Sequence, residues 1–135
     1  MNLVPDAFQD LFHDSTINAF AVIATVTPNG IPVTTPIWFL ADEDTILFSA
    51  ALNSVKHHNI QANPSVSLCV MTENNHVRYV EVRGQVTEIT REGWSEFSRR
   101  IKQKYPGGED PSNTTPPNTA IFKVTPSKVF AFDYS

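Results

Sequence analysis

Residues 31–60, IPVTTPIWFLADEDTILFSAALNSVKHHNI, read as a strand, a turn, a second strand and the start of a helix. The first strand carries Pro32 and Pro36 around the hydroxyls of Thr34 and Thr35. Proline has no N–H to give to a ladder, so this strand belongs on an edge, at a bulge, or against something that is not another strand. After the second strand, Asn53 or Ser54 caps a helix whose first turn contains Lys56. A cation there opposes the helix dipole, at a cost of about 0.3–1 kcal/mol when exposed. An anion at the open N–H groups reverses the sign, because helix start and ammonium then hold one phosphate together. The segment is therefore expected to hold a phosphate-bearing cofactor. The plain alternatives are an edge strand whose prolines block aggregation and a solvated helix lysine.

At 135 residues the chain has the size of one domain, 1–135, and can hide about two-thirds of its unfolded surface. Its single cysteine, Cys69, lies in the apolar run 66–71 and reads as a small buried hydrophobe. A formal net charge of −4 argues against a general nucleic-acid binder while leaving room for a local basic pocket. No basic stretch followed by an apolar block opens the chain, and no uncharged apolar run approaches the roughly 20 residues of a spanning helix. A soluble cytoplasmic protein is the expectation.

Outward from the opening stretch, Leu3, Phe8, Leu11 and Phe12 recur at helical spacing, predicting a short lid helix that ends near His13–Ser15. Residues 19–27 read as a strand closed by Pro28-Asn29-Gly30, where Asn-Gly signals a hairpin because both residues tolerate positive φ. The organising strand spans Val33–Leu40; a turn through 41–44 and a strand over 45–49 follow, and Pro64 ends the helix near Asn63. Beyond it come a strand over 65–71, a turn at 73–75 and a long strand over 77–89. In that long strand Val80, Val82, Gly84 and Val86 share one face, Tyr79, Glu81, Arg83 and Gln85 the other, and Gly84 marks a bulge or a close approach. Thr90 is expected to cap a helix with Trp94, Phe97, Ile101 and Tyr105 on one side. Arg99, Arg100, Lys102 and Lys104 are expected on its wet side. Pro106-Gly107-Gly108 stops it, 109–118 is loop, and a last strand over 119–133 breaks near Pro126. Six strands with hairpin connections and peripheral helices predict a small, mainly β antiparallel barrel.

These motifs carry a resemblance. Ala24-Thr25 before Asn29-Gly30, the run 32–39, Lys56-His57-His58-Asn59-Ile60, Asn63-Pro64-Ser65-Val66 and Arg78-Tyr79-Val80-Glu81-Val82-Arg83-Gly84 occur in the order of the split-barrel flavoproteins related to pyridoxamine 5′-phosphate oxidase. The last run is most similar to the branch that uses the deazaflavin coenzyme F420 rather than FMN. The resemblance implies a split barrel and a homodimer with the cofactor at the subunit interface. Carried over by position, it sets the flavin ring against Val33, Thr34, Thr35, Pro36, Ile37 and Trp38, with Ser49 and Ala50 from the next strand. The phosphate falls on Ser54, Val55 and Lys56, with Asn59 completing the Lys-x-x-Asn spacing. Tyr79 and Arg83 would face the partner and its cofactor. The chain departs from the family in lacking an Arg before the helix lysine or at the start of the last strand, where it has Ser54-Val55 and Asn118-Thr119. Arg78 or Arg83 of a second copy is the candidate replacement. The full basic set of a pyridoxamine phosphate oxidase is also missing, so that substrate is not assigned.

A flavin or deazaflavin carries the hydride itself, which suits a chain with no evident acid–base pair and no assigned catalytic residue. Trp38 has a packing reading beside its ring-stacking one, and Tyr79, Glu81 and Arg83 read equally as a solvated face with an ion pair. His57 and His58 are adjacent, point apart on a helix and offer no zinc spacing. The expectation is an oxidoreductase using FMN or F420 on a small organic substrate. The alternative is a non-catalytic carrier of such a cofactor, or of haem, with His57 as the nearest axial candidate. An oligonucleotide-binding barrel would need a basic-aromatic face that is missing here.

Overall fold

The computed structural model describes residues 1–14, 16–107 and 118–135. A 3-10 turn (Asp6–Phe8) and α1 (Asp10–His13) precede β1 (Ala19–Val26), β2 (Pro32–Ile37), β3 (Leu40–Asp42), β4 (Thr45–Ala51) and α2 (Val55–Ala62). Then come β5 (Ser65–Thr72), β6 (Asn75–Thr90), α3 (Trp94–Lys104) and β7 (Thr119–Asp133). All seven strands form one antiparallel sheet in the order β2-β1-β5-β6-β7-β4-β3.

The seventh strand corrects the count of six, and the cause is a single break. The run expected as one strand from Val33 to Leu40 stops at Ile37 and resumes at Leu40. β2 pairs only with β1 and β3 only with β4, so the chain leaves one edge of the sheet and joins the other across Trp38-Phe39. Two edges tied by so short a link force the sheet to curl, and those two residues form the seam of the barrel. Phe39 turns inward, fully buried and edge-on to Phe12. Trp38 turns outward and stacks on Tyr105, with ring centroids 4.5 Å apart.

Alternation places the main core. Inward positions of β1 (Ala21, Ile23) and β6 (Val80, Val82) are shut off from solvent and meet Phe48 and Phe122 inside the barrel. Gly84 is both bulge and close approach: a Cβ there would stand 2.4 Å from the Thr125 carbonyl oxygen, and the β6–β7 register slips beside it. The break expected at Pro126 is this slip within an unbroken strand. A second core lies outside the barrel wall, where Phe97 and Ile101 of α3 and Tyr105 just after it cover Leu40, Leu47 and Ile121.

Four local expectations are revised. The 28–30 hairpin is a tight turn, Gly30 N–H to Thr27 O, in which Gly30 alone takes positive φ (+87°). Pro28 fixes a negative φ early in the turn, so the loop is the three-residue kind. The N-terminal segment is a 3-10 turn and a short α-turn instead of one helix, with Leu3 exposed. Gly93 rather than Thr90 caps α3; Thr90 ends β6, and its hydroxyl accepts from Glu92 N–H. Finally, Lys104 is not on the wet side: it is only 9% exposed. The expected helix end at Ser15 and the loop at 109–117 lie outside the described residues.

Candidate functional site

The start of α2 is built by its own sequence. Ser54 is the N-cap, its hydroxyl accepting from His57 N–H at 3.2 Å, while His58 N–H closes the first helical turn on Ser54 O. His57 reaches back so that its Nδ1 accepts from Asn53 N–H at 2.8 Å, and Asn53 takes φ +67° to allow it. This resembles a capping box with histidine in the place of Glu or Gln, except that the N3 side chain takes the N–H of Asn53, one residue before the N-cap, while the Ser54 N–H donates to Ala51 O. The Ser-x-x-His spacing would have identified it, and sequence reading missed it. The ring of His57 is buried edge-on to Phe122, with its exposed neighbour His58 6.0 Å away. The Val55 N–H stays outside the helical ladder, at the mouth of the helix. Lys56 is half-buried in the first turn, with its ammonium 5.9 Å from the Phe48 ring.

Asn59 fastens this helix to the sheet. It is 2% exposed, and its amide donates to Thr25 Oγ1 at 3.1 Å. Thr25 pairs with Val33, so the helix is one rung from β2. Along β2, Val33, Thr35 and Ile37 stand opposite the inward residues Thr25, Ile23 and Ala21. Thr34 and Pro36 stand on the outer face. Backbone N–H groups at 32, 34 and 36 point to one side of the strand, and only Thr34 has one there. Ile37 is 1% exposed, so its side chain belongs to the core.

Thr35 has no such settlement. Its Oγ1 is buried and has no hydrogen-bond partner. Buried hydroxyls are ordinarily paired, and an orphan asks for an explanation. The other orphan among the described residues is Thr119 Oγ1, beside Ala51 where β4 runs into α2. Ser49 and Ala50 in β4 are both buried but alternate: Ala50 joins Phe48 in the barrel core, and Ser49 lies on the Leu47 face opposite Ile121.

Tyr79 and Arg83 lie on the outer face of the sheet. Arg83 pairs with Glu81 at 2.7 Å and lies 4.7 Å from the Phe130 ring centroid. Tyr79 meets Phe132, its cross-strand partner, at 5.3 Å. Arg78 is held by Asp10 through two hydrogen bonds, 2.6 and 3.1 Å, and by Ala7 O. Its own chain thus already engages the guanidinium considered as a spare phosphate ligand. Cavities of about 340, 420 and 280 Å³ lie elsewhere, and none of the three is lined by β2 or α2.

At the far end of α3, Lys104 Nζ donates to Phe39 O at 2.9 Å and sits 3.8 Å from the Phe39 ring centroid. Burial, with Arg100 adding to it, lowers this ammonium to about 7. The next residue, Tyr105, donates its hydroxyl to Ala19 O. Arg100 donates two hydrogen bonds to the Asp42 carboxylate, at 2.7 and 2.9 Å, and holds that carboxyl below the usual range. Lys104 falls at i+7 from Phe97 and i+3 from Ile101, so the buried stripe itself marked it. Sequence reading set that aside because the residue is charged.

Among the described residues, no helix is long and apolar enough to cross a membrane. A comparison with curated proteins finds no match. Among solved structures, an F420 reductase is 30% identical, with a TM-score of 0.78 over 94% of this chain and 98% of that one. A conserved hypothetical protein of Mycobacterium tuberculosis (18% identical, TM-score 0.73, 96% and 85% covered) shares the fold. So does HupZ of Group A Streptococcus (18%, TM-score 0.68, 98% and 96%). The family model described as pyridoxamine 5′-phosphate oxidase matches residues 4–133. By that match, over a sheet that closes at Trp38-Phe39, this chain belongs to the pyridoxamine 5′-phosphate oxidase family of split barrels.

Proposed function

We propose that the protein is an oxidoreductase that moves hydride between a bound deazaflavin or flavin and a small organic substrate. The observation that carries this reading is the hydroxyl of Thr35, buried without a partner inside the proline-punctuated edge strand. An unpaired buried group of this kind costs about 1–3 kcal/mol, and a polar ligand atom beside it removes the cost. Coenzyme F420 is favoured over FMN by the likeness to an F420 reductase at 30% identity over nearly the whole of both chains.

The residues present fit such a group. The Val55 N–H and the Lys56 ammonium would hold the phosphate at the positive end of α2. Ser54 and His57 keep that helix start in shape. Thr34 N–H and the Thr35 hydroxyl would meet polar edges of the ring, while Val33 supplies an apolar surface beside them. When bound, the ring supplies the hydride chemistry. The chain's own part is to bind, orient and keep water away, and none of its residues is assigned a proton.

A second copy of the chain completes this reading. The outer face of the sheet carries Phe20, Met71, Tyr79, Phe130 and Phe132 half-buried or exposed, and Tyr134 is 70% exposed beside them. Aromatic and methionine side chains of this kind are what the centre of an interface uses.

Titration of the purified apoprotein with F420 and with FMN, followed by fluorescence, tests the proposal. Saturable binding with turnover of an electron acceptor is expected, tighter for F420. Binding with no turnover of any acceptor would make the protein a carrier, and no binding of either compound would reject the reading. Sedimentation of the same samples is expected to give a dimer.

A further inference from the structure

The cavity between α1, β3 and α3 holds a group that the cofactor reading leaves unused. It measures about 340 Å³, and its walls include His13, Asp14, Arg100, Gln103 and Lys104. We propose that this cavity binds a small carbonyl compound bearing a carboxylate, and that Lys104 Nζ captures it as an imine. The inference stands apart from the flavin or deazaflavin site.

The geometry is that of a buried amine with few claims on it. Lys104 is 9% exposed and its Nζ donates to one acceptor, Phe39 O. The rings of Phe39 and Tyr105 lie 3.8 and 5.2 Å away. Among the described residues no carboxylate lies within ion-pair distance of it. An ammonium has three N–H donors and a neutral amine only two plus a lone pair, so the dry, single-acceptor setting favours the neutral form.

Charged groups on every side act in the same direction or are already engaged. Arg100 of α3 opposes a second cation nearby and is itself held by Asp42 of β3. His13 of α1 is pushed toward its neutral form by burial, with the N-terminus and Lys104 adding to it. Asp14 gives Oδ1 to the N–H and hydroxyl of Thr16. The result is an amine lowered to about 7, chiefly by burial, and desolvation beside another cation is how a lysine becomes a nucleophile.

The step needs no co-reactant. Neutral Nζ adds its lone pair to the carbonyl carbon, and the carbonyl oxygen takes up a proton to give a carbinolamine. Loss of water, with the second amine proton, leaves C=N in place of C=O. No electrons leave or enter. Gln103 uses its amide oxygen on Arg99, which leaves the NH₂ end as a donor in the same wall as the Arg100 guanidinium. That pair suits the carboxylate of a small aldehyde acid.

Glyoxylate with cyanoborohydride tests this on the whole protein, since reduction fixes any imine as a stable adduct that peptide mapping locates. At neutral pH, Lys104 is expected to react at least about tenfold faster than the exposed Lys102, because burial lowers its ammonium to about 7. Its rate should level off above a midpoint near 7. Lys104→Arg should abolish the fast adduct and leave cofactor titration unchanged. Should that variant fail to fold, the pH profile of the native chain decides. Labelling of Lys104 no faster than Lys102, or only after denaturation, would overturn the proposal.

Discussion

The end of α3 and the start of α2 both meet the sheet, and they meet it in opposite conditions. At the end of α3, Lys104 Nζ donates one hydrogen bond to Phe39 O, the Tyr105 hydroxyl donates to Ala19 O, and the rings of Trp38 and Tyr105 lie flat on each other. At the start of α2 the cap is complete, but the neighbouring strand keeps a buried Thr35 hydroxyl with no partner. The first region is finished by the chain itself and holds the seam of the barrel shut. The second, on our reading, is finished by a ligand. Substitutions should therefore separate: those at the seam act on stability, and those at the α2 mouth act on binding.

The largest effect is expected from Phe39→Ala. This fully buried ring fills the space between Phe12 and Lys104, and its loss should lower unfolding free energy by about 3–5 kcal/mol in urea titration. A loss near zero would mean that the seam carries little of the fold. Next comes Lys56→Ala, which should weaken cofactor binding by about 1.5–3 kcal/mol, roughly ten- to a hundredfold in Kd. Its urea midpoint should stay near that of the native chain. The reverse pattern, lost stability with unchanged affinity, would make Lys56 a structural residue and erase the contrast.

The two regions also differ in how far sequence alone revealed them. The strands of the barrel were legible because β1 is rich in β-branched and small apolar residues and β6 alternates from Val80 to Val86, and Pro32 with Pro36 limited β2 to an edge, a bulge or a place against something other than a strand. The seam was not. Ile37-Trp38-Phe39-Leu40 is an unbroken apolar run with no glycine or proline, and only the pairing of its two halves with opposite edges ends the strand. The helix cap at Ser54 could be read from three or four residues, since it is local. The Thr35 orphan depends on what every neighbouring element fails to supply, and no spacing encodes that. Lys104 was a different failure: its position on the apolar stripe was visible, and its charge overrode the pattern.

That lysine gives the seam a pH signature. The folded chain gives up the Lys104 proton near 7, against an ordinary 10.5 in the unfolded chain. Between those values the unfolded state holds more protons, so this group makes stability rise with pH; below about pH 6 both states are protonated and it adds no slope. Lys104→Met should remove the rise. Urea midpoints of the two proteins at several pH values check it, and parallel curves would show that Lys104 loses no proton in this window.

The smallest expected change bears most directly on the central claim. Thr35→Val keeps the shape of the side chain and deletes the hydroxyl. If that hydroxyl waits for a ligand, the apoprotein should gain up to about 1 kcal/mol in urea while its affinity for F420 falls. A variant that loses stability and binds F420 as tightly as the native chain would show that the hydroxyl serves the fold, and would contradict the account.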